Sequence, residues 1–226
     1  MYPYILFDLD GTLTDPGEGI TRSVEYALSQ FGIAVENRRK LYSFIGPPLL
    51  ESFAKYYGFN KQQAQRALKE YRVYFCKQGM FENELYPQTG WLLQELCRAG
   101  AKLILATSKP EPYAERILEH FHIRRYFHCV AGASMDEVRC EKSDVITYAL
   151  EKAGVPSAQD AIMVGDRAQD VLGAHACGLP AVGVLWGYGD RAELQTAGAE
   201  HLVQDMEALC ALLLRSPQEK GADHDR

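Results

Sequence analysis

The stretch Ile5-Leu6-Phe7-Asp8-Leu9-Asp10-Gly11-Thr12-Leu13 decides how the chain is read. Tyr4 to Phe7 is a continuous apolar run, the pattern of a strand covered on both faces. Asp8 and Asp10 come next, two residues apart. On extended backbone such residues point the same way, so the two carboxylates can converge on one spot. Two like charges that close are unfavourable unless a cation sits between them. Gly11 permits a sharp turn, and Thr12 can cap the next segment. The same residues also suit an Asp-Gly hairpin turn, and the rest of the chain has to decide.

Working outward, Thr14 to Gly19 is rich in turn formers and reads as a loop or small flap. From Ile20 the period becomes helical, with Ile20, Val24, Ala27, Leu28 and Phe31 on one face and Gly32 as the stop. Asn37 caps a short second helix ending near Gly46-Pro47-Pro48. A third carries Leu49, Phe53 and Tyr57 up to Gly58, and a fourth runs from Asn60 to Gly79. From Tyr86 the rhythm changes to helices alternating with apolar strands: Lys102–Ala106, ended by Thr107-Ser108-Lys109-Pro110, then Phe127–Ala131, Ala161–Val164 and Pro180–Trp186. Asp190 and Asp205 cap two last helices.

Alternation of this kind predicts an α/β fold, a Rossmann-like parallel sheet with helices on both faces, here with an all-helical insert. The expected division is a core of residues 1–15 and 83–216, a helical cap over 16–82, and a flexible tail at 217–226.

Composition is that of an ordinary globular chain, 47% hydrophobic and 24% charged. The net charge of -6 argues against a nucleic-acid polymer as partner, though a local cation can still bind a small phosphorylated metabolite. No apolar run approaches the roughly 20 residues of a membrane span. The six cysteines are scattered without metal spacing, and the chain enters a strand almost at once, which leaves no signal peptide to read. A cytoplasmic location is expected, as monomer or homodimer.

In parallel sheets ligands gather at the carboxyl ends of the strands, which directs attention to Asp8 and Asp10, Thr107 and Ser108, and Asp166. Carboxylates collected at one edge call for a hard cation, and Mg2+ takes one or two carboxylates plus substrate phosphate. Asp8 and Asp166 fit as ligands. Asp170, one helical turn beyond Asp166, can orient it or a metal-bound water; both acids also suit a helix N-terminus. Thr107, with free N–H groups before a helix, offers an anion cradle or a plain cap. Lys142 opposes the dipole of the helix it precedes, which a nearby anion would offset; a solvated lysine is the other reading. His120, His122 and His175 form no metal pair, and the aromatic residues of the insert read as its small core.

Taken together, Asp8-Leu9-Asp10-Gly11-Thr12, Thr107, Lys142 and Gly165-Asp166-Arg167-Ala168-Gln169-Asp170 resemble the motifs of the haloacid dehalogenase-like hydrolase superfamily, over about residues 3–214. The insert and Gly183–Gly189 are similar to its phosphoglycolate phosphatase and 5'-nucleotidase branch. The resemblance implies a Mg2+-dependent phosphatase of small phosphate monoesters working through an aspartyl-phosphate. Asp8 would be the nucleophile and a metal ligand. Asp10 would be the acid and base, with its backbone carbonyl on the metal. Thr107 and Lys142 would be catalytic as well, holding phosphate with Ser108. Asp166 would complete the metal shell with Asp170 behind it. Arg22 and the Phe44–Pro48 loop around Gly46 are expected to face the site from the cap when it closes. Two alternatives stay open: a sugar phosphomutase of the β-phosphoglucomutase type, and a non-catalytic binding protein on the same fold.

Overall fold

The computed structural model describes residues 1–136 and 138–215, so the tail expected at 217–226 lies outside the described residues. The apolar run Tyr4–Phe7 forms β1, buried along its whole length. After it the chain turns and makes a two-residue strand, β2 (Thr14–Asp15). Next come α1 (Gly17–Ser29), a 3-10 segment Arg38–Phe44, α2 (Leu49–Tyr57) and α3 (Lys61–Tyr74), whose end opens into a π turn at Phe75–Gly79. A second two-residue strand, β3 (Glu84–Leu85), returns the chain and pairs antiparallel with β2. Beyond it lie α4 (Thr89–Arg98), β4 (Lys102–Pro110), α5 (Glu111–His120), β5 (Phe127–Ala133), α6 (Lys142–Ala153), β6 (Ala161–Gly165), α7 (Ala168–Ala176) and β7 (Ala181–Val184). The described chain closes with α8 (Arg191–Ala197), β8 (His201–Val203) and α9 (Met206–Leu214).

Among the described residues six strands form one parallel sheet in the order β5-β4-β1-β6-β7-β8, with β1 inside it. Alternation along each strand divides its side chains between two faces. Ile5, Phe7, Leu103, Leu105 and Val164 belong to one apolar cluster together with Leu93 of α4, Ile117 of α5 and Leu209 of α9. Leu6, Ile104, Ala131 and Met163 belong to the other, with Ile146 of α6 and Val171 of α7. This is the expected α/β class.

Three features depart from the reading of the sequence. Strand β4 does not end before Thr107 but runs on to Pro110, because β5 also runs on and keeps pairing as far as Ala133, with a register shift between Thr107 and Pro110. Helix α1 begins at Gly17 rather than Ile20; its glycines belong to the helix, and Ile20 already donates to the Pro16 carbonyl at 2.9 Å. The edge strand β8 and the β2–β3 ribbon are too short to leave an alternating pattern.

Candidate active site

The site is built where β1, β4 and β6 end. The Asp8 N–H still donates to Val164 O of β6 at 2.9 Å, so Asp8 is fixed by the sheet. The chain then closes a compact turn, with Leu13 and Thr14 N–H both donating to Leu9 O. Gly11 sits in it at φ +84°, and a β-carbon there would strike the Asp166 carboxylate. That is the close approach the glycine serves. The hairpin of the alternative reading is not formed, since the turn leads into β2 and not into a partner of β1.

Asp166 comes directly after β6 and is fully buried. Thr12 Oγ1 donates to its Oδ1 at 3.1 Å and the Tyr188 N–H to its Oδ2 at 2.8 Å. Asp170 stands in the first turn of α7 and accepts from the Arg167 N–H at 3.0 Å. One oxygen from each of Asp8, Asp166 and Asp170 lies within 4.8 Å of the others. Burial, then repulsion by Asp170 and Asp8, pushes the Asp166 carboxyl well above the usual carboxylate range. Burial pushes Asp170 up to about 6, against the pull of Lys142. Crowded, dehydrated oxygens of this kind are what a hard divalent cation relieves, so the residues present fit Mg2+. Asp170 stands in the oxygen cluster beside Asp8 and Asp166, rather than only behind it. The Asp10 side chain is outside the cluster.

Lys142 is the first residue of α6 and only 6% exposed. Its Nζ lies 2.9 Å from Asp8 Oδ1 and 2.7 Å from Asp170 Oδ1, and donates to Ala106 O at 3.2 Å. Burial opposes its charge, but the two carboxylates outweigh this and hold its pKa above the ordinary lysine value. The solvated alternative for Lys142 is thereby excluded.

Asp10 turns the other way. Its Oδ2 lies 2.8 Å from Nζ of Lys109, a buried residue that the reading of the sequence left within the strand-ending segment. Burial raises the Asp10 carboxyl above its usual range, and Lys109 partly counters this. The strand's register shifts between Thr107 and Pro110, so no simple alternation in the sequence points to Lys109. Thr107 is buried, and its Oγ1 accepts from the Lys109 N–H at 3.3 Å.

Asp10, Ser108 and Lys109 line a cavity together with Phe44, Gly46, Leu68, Tyr71 and Phe75 of the helical insert. Gly46 therefore stands at the cavity, at φ +104°, packed on the Arg167 side chain. Arg22 does not. Its guanidinium is held by Glu18 at 2.7 Å and Glu82 at 2.6 Å and borders a separate shallow depression with Glu25 and Arg38. The helical face that buries Ile20 and Val24 leaves Arg22 to these acids, away from the residues that line the cavity.

A parallel sheet with three carboxylates and a buried lysine at its carboxyl edge offers places for a cation and for an anionic group side by side. Residues 5–184 match the haloacid dehalogenase-like hydrolases, and the chain belongs to that family. It is 42% identical over 212 residues to a 5'-nucleotidase of Pseudomonas aeruginosa, covering 94% of this chain and 96% of that one. It is equally 42% identical over 185 residues to the tyrosine-protein kinase PtkA of Mycobacterium tuberculosis, where the match spans 82% of this chain and 62% of the kinase. The crystal structure of a predicted phosphatase from Clostridium acetobutylicum superimposes with a TM-score of 0.93 at 46% identity, over 95% of this chain and 99% of that one.

Proposed function

We propose that this hydrolase is a Mg2+-dependent phosphatase of small phosphate monoesters that works through an aspartyl-phosphate on Asp8. The observation that carries the reading is the asymmetry of the two opening acids. Asp8 lies among carboxylates beside Lys142, whereas Asp10 faces the cavity beside Lys109. Asp8, Asp166 and Asp170, with the backbone carbonyl of Asp10, would hold Mg2+. When bound, it would neutralise charge that builds on the transferring phosphoryl group.

The residues then divide the work. Asp8 attacks phosphorus, and the bond to the leaving oxygen breaks as the bond to the Asp8 carboxylate forms. Asp10 gives its proton to the departing oxygen, and afterwards takes one from the water that releases phosphate from Asp8. Lys142 offsets charge on Asp8 and the phosphoryl oxygens, and Thr107 and Ser108 hold those oxygens. The helical insert, reading as a cap over residues 16–82, closes the far wall of the cavity and selects the leaving group.

For substrate class we infer nucleoside 5'-monophosphates first and phosphoglycolate second. The near full-length similarity to a 5'-nucleotidase supports the first, as do the rings of Phe44, Tyr71, Phe75 and Tyr113 around the cavity, since aromatic walls suit a planar base. The test is a turnover screen over phosphorylated metabolites, reported as kcat/KM. Nucleoside monophosphates are expected to rank highest. EDTA should abolish turnover and Mg2+ restore it; metal-independent hydrolysis would overturn the site as assigned.

A further inference from the structure

Lys109 is a buried cation that the catalytic scheme does not use. Its ammonium lies 2.8 Å from Asp10 Oδ2 and 4.7 Å from the centre of the Phe75 ring. Phe75 begins the π turn of the insert, so the lysine stands between the sheet and the helical layer, touching both. Its own N–H is fixed by Thr107 Oγ1 at 3.3 Å. The second oxygen of Asp10, Oδ1, is buried and has no hydrogen-bond partner among the described residues. A buried ion pair that served stability alone would be expected to satisfy both oxygens. Here one oxygen is clamped and the other is left over, in a residue that lines the cavity.

Resting on the phosphatase reading, we propose that Lys109 is a positioning residue for Asp10: it clamps Oδ2 so that Oδ1 meets the leaving-group oxygen, and the Phe75 ring holds the lysine in place only while the insert is docked. In the step it serves, the phosphorus–oxygen bond to the leaving group breaks, the bond to Asp8 forms, and the proton on Asp10 Oδ1 passes to the departing oxygen. Lys109 moves no proton. Because the ring belongs to the insert and the acid to the turn that follows β1, the proton donor is aimed when the insert covers the cavity and loosened when it lifts. Positioned acid catalysis is worth about 10²–10⁴-fold, and a 1 Å misplacement can remove much of it.

The test compares two esters of nearly the same shape. p-Nitrophenyl phosphate has a good leaving group that hardly needs a proton; phenyl phosphate has a poor one that does. With the Mg2+-loaded, full-length protein, Lys109→Met should lose about 10-fold more kcat/KM on phenyl phosphate than on p-nitrophenyl phosphate. Lys109→Arg should recover most of the loss. In an Asp10→Asn background Lys109→Met should cost nothing further, since the group it aims is gone. Equal losses on both esters, or losses that multiply in the double variant, would overturn the proposal. Should Lys109→Met fail to fold, Lys109→Gln faces the same two criteria. A wild-type protein inactive on both esters is a different failure: it overturns the phosphatase reading and this inference with it.

Discussion

Lys142 holds two buried carboxylates at once, and its removal leaves both without a counter-charge. Breaking a buried pair by deleting one partner costs about 3–5 kcal/mol. Lys142→Met is therefore expected to lower the metal-free unfolding free energy by about 3 kcal/mol or more, read from urea denaturation, and to abolish turnover. Asp8→Asn acts in the opposite sense. It removes one of three crowded acids, so the metal-free protein should melt no lower than wild type while turnover disappears; appreciable hydrolysis by that variant would overturn the assignment of Asp8. Lys142 was legible only together with the flanking motifs, because a lysine at a helix start reads as a solvated side chain as readily as an anion's partner. Lys109 was not legible, because a strand-ending Thr-Ser-Lys-Pro looks like the start of a loop, and only pairing with β5 keeps it in the strand. The ion pair of Arg22 was hidden for a related reason: Glu82, its closest partner, is 60 positions away in the chain and no local pattern announces it.

Elements were readable where their ends carry local chemistry. Gly58 and Gly154 take φ +66° and +64° to close α2 and α6, and Asn60 and Gln63 form a reciprocal capping box at α3. What the sequence concealed is how closely the elements approach. Helix α1 and the π turn after α3 meet backbone to backbone at Gly19 and Gly79; a β-carbon on Gly19 would enter the carbonyl of Gly79. Neither partner can swing aside as a side chain would. Gly19→Ala should thus destabilise the protein by about 1–3 kcal/mol, the usual penalty of overpacking, measured as a lower urea midpoint with an unchanged slope. The same substitution at Gly90, whose β-carbon would meet nothing within 4 Å, is the control and should leave the midpoint unlowered.

Across the whole molecule, Arg167 and Tyr188 join Lys109 in tying the carboxylate edge to the helical insert. Arg167, next to Asp166, donates to the Ile45 carbonyl of the insert and lies 2.8 Å from Glu193 of α8. Tyr188 donates its N–H to Asp166, its hydroxyl to Asp15 of β2, and packs edge-on against Tyr42. Arg167→Ala should therefore raise KM several-fold. It should also speed amide exchange across residues 44–49, a change that hydrogen exchange resolves peptide by peptide. The β2–β3 ribbon has a different consequence. Thr14 faces Leu85 and Asp15 faces Glu84, so the insert departs and rejoins across one strand spacing, about 4.8 Å. A two-residue turn bridges that gap as well as the whole insert does. The sheet thus carries its helical layer like a cartridge between two clips. Under the proposed function, exchange of the helical layer across this junction would let selector and reactor change independently.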